Sequence, residues 1–199
     1  MHHDKHVVKM IIEYAQLLST AHRMIDGELV MGLTKTGRKV KRYQLPDSRD
    51  GILYAATHAN HPSAKWTRHS KQNYEWLAEM WYELLLEYTH RYGKRHKTED
   101  LLEELCTAPR NIEDKGFSPP WRAMPDDAKI EDDSLLSYRN YYVTYKYKMA
   151  RWTNRKAPVW FEDGIYKLYG DKIHTVLKDR DHKSIQQPTY KTSNANILL

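Results

Sequence analysis

Six polar residues near the start of the chain, His2, His6, Lys9, Glu13, Gln16 and Thr20, recur at alternating steps of four and three. That spacing puts them on one face of a helix. The residues between them, among them Val7, Val8, Met10, Ile11, Ile12, Leu17 and Leu18, are apolar. A helix that is apolar nearly all round is expected to be buried, so its polar strip should face a cleft, a ligand or water. With His3, Asp4 and Lys5 added, acids, bases and an amine crowd into about two helical turns. A plain solvent face, with Lys9 and Glu13 as an i, i+4 pair, accounts for the same spacing.

His3, His6 and Asp4 are also metal-ligating types. No HExxH or comparable ligand pattern accompanies them, and His58, His61 and Asp50 lack the spacing a phosphohydrolase site needs. No metal and no cofactor is expected.

The strip needs elements to position it. A first helix should run from about Asp4 to Met24 and stop at the Asp26-Gly27 turn. Leu29–Leu33 and Val40–Tyr43 flank Thr34-Lys35-Thr36-Gly37 and suit a small β-hairpin. Lys35, Arg38, Lys39, Lys41 and Arg42 crowd its tip, as a phosphate grip or as charges that guard an exposed edge. Asn60 and His61 precede Pro62, a residue suited to the first helical position; a phosphate is welcome at such a helix start, and a structural cap is the alternative. Helical periodicity then carries Trp66 and Arg68 and runs to Tyr92, with a break near Ser70 and a stop at Gly93. A short helix should follow from Glu99 to Cys106, capped by Thr98. Residues 107–132 read as a long irregular connection rich in proline. A last strong helix is expected from Asp133 to Trp152, with Tyr138, Tyr141, Tyr142 and Tyr145 as a stripe whose hydroxyls need partners when buried. Arg139 lies among them, placed to pair with a carboxylate or a phosphate. Ala157 to Phe161 closes the segment.

Length and composition bound the rest. The chain has 199 residues, a formal charge of +6 and a single cysteine, Cys106. The reading is a mainly α single-domain helical bundle over residues 1–170, with the hairpin, long irregular loops and a polar, loosely held tail over 171–199. The lone cysteine rules out an internal disulfide framework and suits a reducing cytoplasm. No long apolar run marks a membrane span and no secretory signal is visible. Fifteen tyrosines and six tryptophans against two phenylalanines, on a basic chain, suit a polyanion whose bases stack.

Several landmarks stand together: His3-Asp4-Lys5-His6-Val7-Val8-Lys9-Met10, Asn60-His61-Pro62 followed by Trp66, Tyr88 to Gly93, Met124-Pro125, Tyr138-Arg139-Asn140-Tyr141-Tyr142, and Trp160-Phe161. Together they resemble a family of small, uncharacterised proteins encoded by tailed phages and large DNA viruses. The first two blocks are similar, more distantly, to the pyrimidine-dimer DNA glycosylase group that includes phage endonuclease V. That resemblance implies an all-helical DNA-repair fold in the cytoplasm, of the host if the protein is viral. It also implies an amine that attacks C1′ of a damaged nucleotide, forms a Schiff base and nicks the strand by β-elimination, assisted by a carboxylate. Endonuclease V uses the amine exposed after Met removal. Position 2 here is His, too large for efficient Met removal, so a longer N-terminal segment is expected or Lys5 or Lys9 takes that role, with His6 nearby and Glu13 as the carboxylate. His3, Asp4, Asn60, His61, Trp66, Arg68, Arg139, Tyr142, Lys39 and Arg42 are the expected DNA contacts. The rival readings are a non-catalytic viral nucleic-acid-binding protein and a hydrolase of nucleotide metabolism.

Overall fold

The computed structural model describes residues 2–34 and 36–170. The polar tail of 171–199 and Lys35 of the hairpin tip lie outside them. The fold is mainly α. Among the described residues it contains helices α1 (Asp4–Asp26), α2 (Arg49–Ile52), α3 (Pro62–Thr67), α4 (Lys71–Tyr92), α5 (Leu102–Leu105), α6 (Ser134–Tyr141) and α7 (Val159–Tyr169), and one hairpin of β1 (Glu28–Leu33) and β2 (Lys39–Gln44). The chain divides into two compact units. The described part of the first comprises 2–9, 84–96 and 122–170; the second comprises 10–34, 36–83 and 97–121.

In the second unit α1 buries Ile11, Tyr14, Ala15, Leu18 and Ala21, the three-and-four spacing of one helical face. Gly27 ends the helix because nothing larger fits: a Cβ there would lie 2.4 Å from the Arg23 carbonyl oxygen and 2.9 Å from that of Gln44. The antiparallel register then runs from Glu28 opposite Gln44 to Leu33 opposite Lys39. The Arg23 guanidinium donates to the carbonyls of Tyr43, Asp50, Leu53 and Tyr54 and to the Asp50 carboxylate, all within 2.9 Å. Arg49 reaches Asp26 at 2.7 Å and Asp47 at 2.8 Å and donates to His22 Nδ1 at 2.9 Å. His22 Nδ1 therefore accepts, its Nε2 donates to the Tyr74 hydroxyl at 2.7 Å, and that hydroxyl donates to the Leu105 carbonyl at 2.9 Å. Arg23, Arg49, His22 and Tyr74 are tolerated inside because each is hydrogen-bonded.

In the first unit a core of Tyr142, Val143, Ala150, Trp152, Phe161 and Ile165 gathers α6, α7 and the turns between them. Asp133 caps α6, its carboxylate accepting from the Leu136 N–H at 2.8 Å. The helix expected to reach Trp152 stops at Tyr141. It passes into a π-helical turn, Tyr142–Lys146, and then a 3-10 turn, Tyr147–Met149. The Ala157–Phe161 segment, expected only to close the preceding one, opens α7 instead. The short helix expected over Glu99–Cys106 is a 3-10 turn at Lys97–Leu101 followed by α5.

Candidate functional site

The first residues of the chain fold back onto their own helix start. The His3 carbonyl accepts from the N–H groups of His6 and Val7 at 2.9 and 3.0 Å, and the Asp4 N–H donates to the Arg151 carbonyl at 2.8 Å. Asp4, expected to touch DNA, has its carboxylate held within the first unit. Its carboxylate accepts from the Thr153 N–H and hydroxyl at 3.0 Å and from the buried Arg91 at 2.7 Å. Arg91 also holds Glu87 at 2.6 Å, and Glu87 in turn holds Arg155 at 2.6 Å.

This anchorage sets three imidazoles around one phenol. His2 Nδ1 lies 2.8 Å, and His6 Nδ1 2.7 Å, from the Tyr142 hydroxyl. The His3 ring stacks on His6 at 4.2 Å between centroids and tilts against Tyr142 at 5.2 Å. Trp160 meets the other side of Tyr142 at 6.0 Å and carries the Arg139 guanidinium over its face at 5.6 Å. Tyr142 is the first residue of the π turn. Such turns recur at functional sites because the extra residue re-aims the side chains.

All three imidazoles are uncharged at neutral pH. Burial, then the charges of His6, Lys146, Lys5 and Arg91, hold His3 down to about 2. Burial, then Lys146 and Lys9, holds His6 down to about 4. Burial likewise holds His2 well below the ordinary histidine value and pushes the Tyr142 phenol up. His3 is fully buried, and neither of its ring nitrogens has a hydrogen-bond partner among the described residues. That arrangement costs about 1–3 kcal/mol, of the kind native proteins keep for a purpose. No group of three or more His, Cys, Asp or Glu among the described residues is placed to hold a metal ion.

The expected strip does not survive as one line. Lys5 and Lys9 are exposed, and so are the apolar Val8 and Ile12, at 41% and 39%. Thr20 is buried and bonded to the Thr57 backbone. Glu13 is half-buried on the part of α1 that belongs to the second unit. Of the expected residues the first unit gathers His3, His6, Tyr142 and Arg139, with Lys5 and Lys9 on the same helix start.

The remaining expected contacts fall in the second unit. His61 caps α3, its Nδ1 accepting from the Ser63 N–H at 3.2 Å, while Asn60 beside it is exposed. Trp66 spends its indole N–H on the Ser118 carbonyl at 2.9 Å and packs edge-on against Trp76 and Phe117. Arg68 is half-buried, and its Nη1 has no hydrogen-bond partner among the described residues. Lys39 and Arg42 are exposed on β2, Arg42 reaching the Leu33 carbonyl at 3.4 Å. Trp160 and Lys146 stand by the imidazole cluster and were not expected there, while His2 was expected only as part of the polar strip. The signal for them was the tyrosine stripe, whose hydroxyls had to find partners somewhere.

No protein-family model, no curated protein and no solved structure matches this chain. No described helix is long and apolar enough to cross a membrane.

Proposed function

We propose that this chain acts on DNA as a base-excision enzyme of the pyrimidine-dimer glycosylase and AP-lyase kind, with Lys9 as the amine. One observation carries the reading: an exposed lysine stands one helical turn from an imidazole that is neutral and pinned by a buried hydroxyl. An amine attacks only when deprotonated, and an imidazole left uncharged on the same helix start adds no positive charge of its own to the site. Lys9 Nζ then bonds C1′ as the bond from C1′ to the base breaks, the base leaving with the electron pair. Loss of a proton from nitrogen and opening of the sugar give the Schiff base, from which β-elimination expels the 3′ phosphate. Arg139, set on Trp160, is suited to a phosphate.

Borohydride trapping on duplex DNA carrying an abasic site or a pyrimidine dimer tests it. A covalent adduct that Lys9→Ala abolishes and Lys5→Ala retains is the expected result. Binding without an adduct would leave the non-catalytic reading. That second reading rests on the hairpin, where Arg38, Lys39, Lys41 and Arg42 are all exposed. A two-stranded ribbon fits the major groove of DNA, and its charges grip phosphates of any sequence.

A further inference from the structure

The register of the hairpin sorts its side chains into two faces. Leu29, Met31 and Leu33 of β1 stand opposite Tyr43, Lys41 and Lys39 of β2, and these six share one face. The three aliphatics are 53%, 63% and 61% exposed. Lys39 and Lys41 are exposed as well, and neither has an ion-pair partner among the described residues. The other face is covered. Val30 and Val40 are half-buried there, and Arg42 lies over Gly32, where a Cβ would come 3.2 Å from the Arg42 Cδ. The open face is an aliphatic row beside a cationic row, with no carboxylate on it.

Phosphate contact accounts for the lysines and leaves the aliphatic row in water. We propose that this face enters the minor groove of DNA, where Met31 and Leu33 wedge between base pairs while Lys39 and Lys41 take the phosphates beside them. The charge calls for an anionic partner and opposes a second copy, whose ribbon would bring the same lysines. Lysine is also depleted from protein interfaces. An anionic bilayer orders its chemistry by depth, with charge above hydrocarbon. This face orders it side by side, Met31 against Lys41 and Leu33 against Lys39. A groove has that arrangement, with base steps on its floor and phosphates along its wall. The spacing agrees: side chains two residues apart on a strand are about 6.8 Å apart, about two nucleotide rises of 3.4 Å. The ribbon as a body fits the major groove, but there its aliphatics would strip base edges of water and find only thymine methyls in return. From the minor groove, leucine and methionine are among the side chains that unstack a base step.

The proposal rests on the reading that the chain binds DNA. The full chain is titrated onto a short, undamaged duplex of G·C pairs with one central TA step, 2-aminopurine replacing the adenine of that step. Such steps give way most easily, and 2-aminopurine brightens when it is unstacked. A rise in fluorescence at saturation is expected. A central mismatch, whose unstacking costs less, should bind about tenfold tighter than the matched duplex. Met31→Thr combined with Leu33→Thr keeps the preference for a strand and removes both wedges. That double variant should still bind, with the fluorescence rise and the preference for the mismatch lost. Lys39→Gln should weaken binding and keep the rise at saturation. Wild-type binding without a rise overturns the proposal and leaves the DNA reading standing, and so does a double variant that keeps the full rise. Vesicles containing phosphatidylserine are the second probe. Capture by them that the double variant abolishes, with no rise on DNA, overturns the proposal and assigns the face to a membrane. A chain that binds no DNA defeats the proposal and the DNA reading together. If the double variant does not fold, Leu33→Thr alone takes its place.

Discussion

The Arg91 guanidinium is fully buried and meets the Asp4 carboxylate at 2.7 Å, joining residues that lie 87 positions apart in sequence. Removing the Asp4 charge leaves the buried Arg91 with Glu87 as its remaining carboxylate, so Asp4→Asn should cost roughly 1–3 kcal/mol, the scale of a lost charge-assisted hydrogen bond. Urea denaturation checks it: the midpoint falls while the slope is unchanged. If the chain binds DNA as proposed, the protein that remains folded should still bind it, because the Asp4 carboxylate is taken up by Arg91 and Thr153.

The neutral histidines make the fold acid-sensitive. His22 and His6 are both held near 4 by burial, against an ordinary value of 6.5. Between those values the unfolded chain binds protons that the folded chain refuses, so stability is full above about pH 6.5 and falls as pH drops toward 4. For His22, wholly inside the second unit, the shift amounts to roughly 3 kcal/mol across that window. His22→Gln keeps a donor and an acceptor for Tyr74 and Arg49 without titrating. Unfolding midpoints at pH 7 and pH 5 should differ less in that variant than in the wild type.

Gly164 on α7 faces Val143 so closely that a Cβ would come within 2.6 Å of one Val143 methyl and 3.1 Å of the other. Gly164→Ala should overpack this contact at a cost of about 1–3 kcal/mol. Val143→Ala makes the room. Melting temperatures of the two single variants and the double variant should show that the pair together loses less than the sum of its parts.

Lys39→Gln and Arg42→Gln test the hairpin. Each removes an exposed cation with little expected effect on stability. If the ribbon grips phosphates, each should reduce the salt dependence of DNA affinity by a slope of about 1. Unchanged slopes would assign these charges to protecting the ribbon's edges.

Local signals were legible where one residue type decides the backbone. Gly27 stops α1 by close approach, Pro62 opens α3, and Gly93, at φ +73, ends α4. The hairpin followed from two β-prone runs around a Thr-Lys-Thr-Gly turn, and His3, His6 and Tyr142 were each marked from their own segments. Their meeting was not legible, because 136 residues separate His6 from Tyr142 and the Asp4–Arg91 pair that anchors the chain start is equally remote in sequence. α7 escaped notice because Pro158 and Gly164 punctuate a pattern in which only Phe161 and Ile165 are buried. The apolar look of α1 misled in one respect: periodicity says which residues share a face, but not that Val8 and Ile12 would be left outside.

The π turn that begins at Tyr142 gives the first unit a frame that counts residues. Thr144, within it, bonds back to the Asn140 carbonyl at 2.8 Å. An α-helix advances about 100° per residue, and the π turn takes up one residue more in the same rotation. Deleting Thr144 would therefore bring back ordinary winding with the following segment in place, whereas deleting a residue from α6 would turn everything after it through that angle. The π turn is where this helix can change its length without losing phase.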